Sequence, residues 1–470
     1  MSYNFLPAER DQLFILPPSM RDWIGEGDLA WFIIDVVESL DLSSIRARYR
    51  SDGWGRASYD PKMMVALLLY AYCLGERSSR RIERFCKRDV GFRVVAANQT
   101  PDHTTISRFL KEHAAALADL FTQGLELCGR AGLVHVGVVA LDGSKMKANA
   151  GLSANRKYRT IRKEIEEIIQ EALGVDAAES EPCGTDLHGD EVPEKLRDRR
   201  LRLERLRECQ RQLEAEAQEK AAEQQRKIDA KAAEEAVSGK KKPGRKLKPP
   251  NAEPDGDKKA NPTDPDSRIM FTSGGHVQGY NAQAVVGTGQ IILAADVTQE
   301  ANDYNQLLPM LELTERELEA AGVKERIEVA LADTGYCTEE NLVALEEKED
   351  GPEVLLATKK ANEHRASSGE EPASGNSPDH RSPREKMTQR IESERGRELY
   401  PQRAAIVEPV FGQIKTAQGI DGFRRRGHGA VRDEWKLICL THNLLKLFRR
   451  MGAVCLGQAG ITLNRQLQTG

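Results

Sequence analysis

The chain has 470 residues, 39% hydrophobic and 30% charged, with 69 basic and 73 acidic side chains and a net charge of -4. That length predicts about three domains, or two with an insertion, and the composition excludes a wholly disordered chain but leaves room for solvated segments. The overall charge does not mark a nucleic-acid binder, so only a local concentration of charge could do so.

Eight cysteines are scattered without a C-x-x-C pair, which argues against a zinc ribbon or a thioredoxin motif. Residues 1–20 hold Pro7, Pro17 and Pro18 and no apolar signal core. No uncharged apolar run reaches a membrane-spanning length. A cytoplasmic protein with reduced thiols and no membrane contact is expected.

Residues 1–130 read as a helical N-terminal domain. Pro61 to Gly75 is apolar on most faces, with Asp60 placed to cap it, Pro61 in its first turn and Gly75 to end it. At 101–113, Asp102 is a candidate cap for a helix bearing Thr104, Thr105, Ser107, Arg108 and Lys111. An exposed Arg108 on such a helix could read a DNA groove, although the same pattern suits any capped amphipathic helix.

The period changes at V-H-V-G-V-V-A-L-D (134–142), which predicts a buried strand closed by Asp142. Ile161, Ile165, Ile168 and Leu173, then Leu196, Leu203, Leu206 and Leu213, predict a helical insertion over 155–237. A basic, proline-rich linker follows, so that 155–268 forms helical insertion plus flexible segment. Strands are expected at 277–286 and 291–297, joined by a Gly287-Thr288-Gly289 turn. Further strands are expected at 327–333, ending in Asp333, and at 353–358. Helices are expected at 304–322, 339–348 and from 404 to about 450. Residues 361–390 read as a loop and 451–470 as a tail.

Two strands thus end in an isolated aspartate, Asp142 and Asp333. Each could be a turn residue. Their matching positions raise a second reading, in which two carboxylates meet and hold a hard cation such as Mg²⁺. Glu408, in V-E-P-V-F-G-Q-I-K (407–415), is the candidate third acid. Pro409 suits a first helical position, which would start the helix at Glu408. Lys415 would then lie two turns on, along the same face.

These stretches together resemble the bacterial insertion-sequence transposases of the DDE type. The matching segments are A-L-D-G-S-K-M-K-A-N-A (140–150), D-P-D-S-R-I-M (264–270), V-Q-G-Y-N-A-Q (277–283), L-A-D-T-G-Y (331–336) and 407–415. R-R-R-G-H-G (424–429), the helix through W-K-L-I-C-L-T-H-N (435–443), Y-D-P-K-M-M-V (59–65) and H-T-T-I-S-R-F (103–109) also fit.

The resemblance implies an α/β fold: an RNase H-like mixed sheet flanked by helices, built from 131–154 and 269–450, with a helical insertion and an all-α N-terminal domain. It implies Asp142, Asp333 and Glu408 as catalytic metal ligands for two Mg²⁺ ions, with Mn²⁺ as a possible substitute. Tyr400, Arg403, Glu408 and Lys415 resemble the family's Y-R-E-K signature, with Tyr400, Arg403 and Lys415 toward DNA. Four residues separate Arg403 from Glu408, where the signature has three. A single helix through both would turn Arg403 away from the site.

From Arg403 to Arg450 there are ten basic and four acidic residues, a local excess suited to phosphate. Arg424, Arg425 and Arg426, beside Gly427 and Gly429, form a candidate phosphate clamp. The expected partners are the element ends and target DNA, bound by a homo-oligomer on the nucleoid. The expected activity is metal-dependent cleavage and strand transfer. A catalytically silent DNA-binding regulator and a simple RNase H-fold nuclease are the alternatives.

Overall fold

The computed structural model describes residues 19–49, 58–179, 194–238, 249–347, 351–358 and 381–455. The basic linker at 239–248, most of the expected loop (359–380) and the tail from 456 lie outside them.

The first part of the chain is helical: α1 (Leu29–Ser39), α2 (Ser43–Arg46), α3 (Pro61–Cys73), α4 (Ser79–Arg88), α5 (Val90–Val95), α6 (His103–Glu112) and α7 (Ala114–Arg130). Short acids start several of these helices. The side chains of Asp28, Asp60, Asp89 and Asp102 accept backbone N–H groups of α1, α3, α5 and α6. Such caps satisfy donors that the first helical turn leaves free. In α3 every residue from Met63 to Cys73 is buried, so it forms the centre of this region. Its end requires glycine twice over. Gly75 has a φ of 73°, and a Cβ there would stand 2.0 Å from the Gln418 carbonyl oxygen.

The strands are β1 (Val138–Lys147), β2 (Arg156–Lys157), β3 (Lys259–Ala260), β4 (Arg268–Thr272), β5 (Gly275–Gly287), β6 (Ile292–Thr298), β7 (Val329–Ala332) and β8 (Glu353–Leu356). The main sheet runs β4-β5-β1-β7-β8, with β6 also paired to β5. β6, β5 and β1 are antiparallel neighbours, whereas β1, β7 and β8 are parallel. The hairpin between β5 and β6 forms as expected, with Gln290 in its loop at a φ of 59°.

The first strand corrects its sequence expectation. It begins later and continues to Lys147, so Asp142 sits within β1 rather than at its end. The parallel ladder to β7 stops at Ala140, while the antiparallel ladder to β5 continues through Lys147. Between Ala140 and Lys147 one edge of β1 therefore has no strand partner, which is why polar residues are tolerated there.

Between β2 and β3, α8 (Tyr158–Glu179) and α9 (Glu194–Ser238) pack together around Ile161, Ile165, Leu206, Cys209 and Leu213. This apolar cluster is separate from the main core, as the recurring Ile and Leu predict. Arg268 at the start of β4 ties to Glu216 of α9 at 2.7 Å.

The remaining helices are α10 (Leu307–Ala320) between β6 and β7, α11 (Glu339–Glu347) between β7 and β8, and then α12 (Pro383–Glu392), α13 (Glu394–Leu399), α14 (Gln402–Gly412) and α15 (His428–Cys455) after the last strand. α12 overlaps the end of the expected loop 361–390. Pro383 opens it, Ser382 and Glu385 form a reciprocal capping box, and Met387 and Ile391 are buried. Two buried residues in a charged helix gave too weak a period to register in the sequence.

One hydrophobic core runs from α1 to α15. Gly124 of α7 lets α15 approach closely, because a Cβ there would meet Leu440 Cδ1 at 2.2 Å. Asn443 of α15 binds both the N–H and the C=O of Ile292, at 2.9 and 2.8 Å. The molecule is thus a mixed α/β structure with a mostly helical N-terminal region. Among the described residues no helix is long and apolar enough to cross a membrane.

Candidate active site

The register of β1 on β7 pairs Ala140 with Leu331. Carried two residues further, that register sets Asp142 beside Asp333, on one face of the sheet, just where the ladder ends. Asp142 Oδ1 accepts the N–H of Gly143, and Asp333 Oδ1 accepts that of Gly335, both at 2.8 Å. The other oxygen of each aspartate faces Arg403. Arg403 Nη2 is 3.1 Å from Asp142 Oδ2 and 4.0 Å from Asp333 Oδ2. Its Nη1 is 3.7 Å from Glu408 Oε1. One guanidinium therefore gathers carboxylates from β1, the end of β7 and α14.

This geometry corrects the expected helix start. α14 runs through Pro409, so Arg403 and Glu408 share a helix, yet the extra residue does not remove Arg403 from the site. The long Arg403 side chain is only 13% exposed and reaches inward, whereas Glu408 is 61% exposed. A proline inside a helix leaves the carbonyl four residues earlier without its donor. Here that carbonyl is Ala405, and the Gln290 side chain donates to it at 3.3 Å.

Burial pushes the Asp142 carboxyl up to about 6, against the attraction of Arg403, and the nearby Asp333 charge pushes the same way as burial. Tyr400 donates its hydroxyl to the carbonyl of Ala332, next to Asp333, at 3.3 Å. Lys415 lies in a π-helical turn after α14 and donates to Ser144 Oγ at 2.6 Å, on the β1 side of the site. Burial lowers its pKa while Asp142 raises it. Arg424–Arg426 sit farther along. The Asp421–Phe423 backbone bonds the end of β1 at Lys147, and Asn149 donates to the Arg424 carbonyl at 2.6 Å. Arg108 is exposed on α6.

A fourth acid escaped the sequence reading. Asp303, nearly buried, accepts from Asn281 at 2.7 Å and from Gln283 at 2.6 Å. Its other oxygen is 3.7 Å from Lys145. Tyr336, the residue after Gly335, donates to Gln283. This network lies against Gly143, which follows Asp142, and Gly335, two residues past Asp333. A Cβ on Gly143 would stand 2.4 Å from Asp303. The alternation of Asn281 and Gln283 in an otherwise apolar strand was a usable signal; Asp303 had none.

Among the described residues no three metal-ligating side chains are already grouped as a ligand set. The carboxylates meet through Arg403 instead. The donor set is nevertheless that of a hard cation: acidic oxygens on two neighbouring strands and one helix, with a positive group already between them. Arg403 Nε is buried and has no partner among the described residues, so the guanidinium is incompletely held.

Residues 18–112 match the family model described as a transposase domain (DUF772), and residues 370–448 match the one described as a transposase DDE domain. No curated protein and no solved structure matches the chain. Glu408 lies within the second match; Asp142 and Asp333 lie outside both. The two family models together support an insertion-sequence DDE transposase, a class of DNA-cleaving enzymes that generally depends on divalent metal.

Proposed function

We propose that Asp142, Asp333 and Glu408 form the catalytic triad of this transposase and that it cuts and rejoins DNA at the ends of its mobile element. The observation that carries this reading is the convergence of all three acids on the Arg403 guanidinium. The antiparallel β6, β5 and β1 followed by the parallel β7 and β8 support an RNase H-like core. The three acids would hold two Mg²⁺ ions, or Mn²⁺ in their place. Metal in such a site activates water, or a 3′-hydroxyl, for in-line attack on a phosphodiester.

The chain's own residues set the conditions for that chemistry. Asp142 and Asp333 are fixed by their bonds to the next glycine turns, so their free oxygens point to one place. The Asp303 network packs against both glycines, leaving no room for a Cβ at Gly143 and little at Gly335. Tyr400 fixes the approach of α14 to the end of β7. Arg403 is held by charge alone and can exchange its carboxylates for a DNA phosphate, which a guanidinium binds well. Lys415, anchored at Ser144, supplies a second positive group on the β1 side. Arg424–Arg426 and Arg108 are further DNA contacts. The enzyme acts as a homo-oligomer, because two ends must be joined, on chromosomal DNA in the cytoplasm.

The test is incubation of the full chain with DNA carrying the element's ends, with Mg²⁺, with Mn²⁺ and with chelator. Metal-dependent cleavage followed by strand transfer is the expected result. Cleavage without joining would point to a simple nuclease, and binding without cleavage to a regulator.

A further inference from the structure

The two segments expected to touch DNA, α6 and Arg424–Arg426, are distant in sequence and adjacent in space. A trough of about 1070 Å³ is lined by Arg80, Arg108 and Lys111 from the N-terminal region and by Arg425 and Asp433 at the start of α15. It runs on into a second depression, where Arg80 and Lys111 face Arg424, Arg425 and Arg426. At its other end it joins a third, past Arg48 and Arg108 toward Tyr59. The three share lining residues and form one continuous channel along α6.

The sequence explains the wall. Ile106 and Phe109 bury one face of α6, so Thr104, Ser107, Arg108 and Lys111 must face outward. The Asp102 carboxylate is held at the N-terminus of the helix by Thr104 and Thr105. Among the described residues, the side chains of Arg80, Arg108, Lys111 and Arg425 make no hydrogen bond or ion pair. Arg48, Arg80, Arg108, Lys111 and Arg425 outnumber Glu112 and Asp433 in the trough, so its lining carries a positive surplus that favours an anion.

The two sides are rigidly joined. Arg77, just before α4, forms an ion pair at 2.9 Å with Glu434 of α15, and both side chains are buried. The same Glu434 carboxylate accepts the backbone N–H groups of Arg424 and Arg425, at 3.0 and 2.9 Å. Arg77 also donates to the carbonyl of Gly422, at 2.8 Å. One buried pair thus sets the arginine run against the N-terminal helices. The Arg424 segment is also bonded to the end of β1, five residues past Asp142. That is about 17 Å of strand at roughly 3.3 Å per residue.

We infer that this channel is a single composite DNA groove, in which the N-terminal region and the start of α15 grip the same duplex segment, with Arg80, Lys111 and Arg425 as phosphate contacts. A channel this long, open and basic suits the DNA backbone, and a helix edge such as α6 suits a groove of the duplex. This inference rests on the transposase reading for its ligand. It adds that DNA-end binding is not a property of the N-terminal region alone.

The experiment uses the full chain and a fluorescein-labelled duplex of mixed sequence, with binding followed by anisotropy across a salt series. Arg80→Ala, Lys111→Ala and Arg425→Ala are compared with wild type. Each lost phosphate contact should flatten the log–log salt slope by about 0.9. All three variants, from both sides of the channel, should show it, and none should lower the Tm measured without DNA by more than about a degree or two, because none of the three side chains has a hydrogen bond or salt bridge to lose. Unchanged slopes in all three, with wild-type DNA cleavage intact, would overturn the groove alone. A change confined to Arg80 and Lys111, or to Arg425, would overturn the shared-segment claim. A wild-type chain that binds no duplex overturns the groove and the transposase reading together.

Discussion

Arg403 Nη2 lies 3.1 Å from Asp142 Oδ2, joining a strand in the middle of the sheet to a helix more than 250 residues later in the chain. In DNA-free protein this pair neutralises much of an acidic site. Its strength is also a restraint, since the guanidinium occupies the space between the candidate metal ligands.

If the guanidinium and a divalent ion compete for these oxygens, Arg403→Gln should bind Mn²⁺ more tightly than wild type. Removing one positive charge within 4 Å of the site should gain at least about tenfold, or about 1.4 kcal/mol. Titration calorimetry with MnCl₂ on the DNA-free protein measures this. Weaker binding in the variant would mean that Arg403 organises the site rather than blocks it.

Asp142 predicts a conflict between stability and function. Its folded pKa, about 6, is above the ordinary value of 3.8. The folded state therefore binds the extra proton between about pH 4 and 6, and stability falls as pH rises through that window. Above it the ionised carboxylate is a net cost. Asp142→Asn should raise the metal-free stability at pH 8 by about 1–3 kcal/mol, each pKa unit corresponding to about 1.4 kcal/mol. The same variant should lose cleavage. Chemical denaturation of the metal-free protein at pH 8 decides it, and a less stable variant would sink the argument. Wild-type cleavage should fall as pH drops through about 6.

The other two acids carry a separate test. Asp333→Asn and Glu408→Gln keep the shape of each side chain and remove its charge. Both should bind duplex DNA and fail to cut it. Cleavage at the wild-type rate by either one removes that residue from the triad.

Gln290 predicts a structural effect at a distance from the chemistry. Its side chain serves the Ala405 carbonyl that Pro409 leaves free, accepts from Lys446 at 2.6 Å and accepts from Gln413 at 3.1 Å. Gln290→Ala should cost about 1–3 kcal/mol, since several partners lose their bonds together. Thermal unfolding measures it, and a change within error would show that water replaces the side chain.

Arg108 separates base reading from phosphate binding. Arg108→Ala, tested on element-end DNA and on scrambled DNA at one salt concentration, should lose about 1–3 kcal/mol more on the end sequence if it contacts a base. An equal loss on both reduces it to a backbone contact.

Much of this protein could be read locally. The caps at Asp60 and Asp102, the buried α3 and the helical insertion follow from spacing and short-range hydrogen bonding, which are sequence-local forces. So do the candidate acids, because a carboxylate beside an apolar strand is conspicuous wherever the strand pairs. Tertiary structure decided the rest. The extent of β1 past Ala140 rests on its pairing with β5, and the carbonyl that Pro409 frees in α14 is met by Gln290 from a distant hairpin. The convergence of Asp142, Asp333 and Glu408 on Arg403, the Asp303 network and the channel between α6 and Arg424–Arg426 all join residues far apart in the chain. Their contacts exist only because one hydrophobic core packs α7 against α15 and the sheet, and no local pattern encodes the distance between two surfaces brought together by a core.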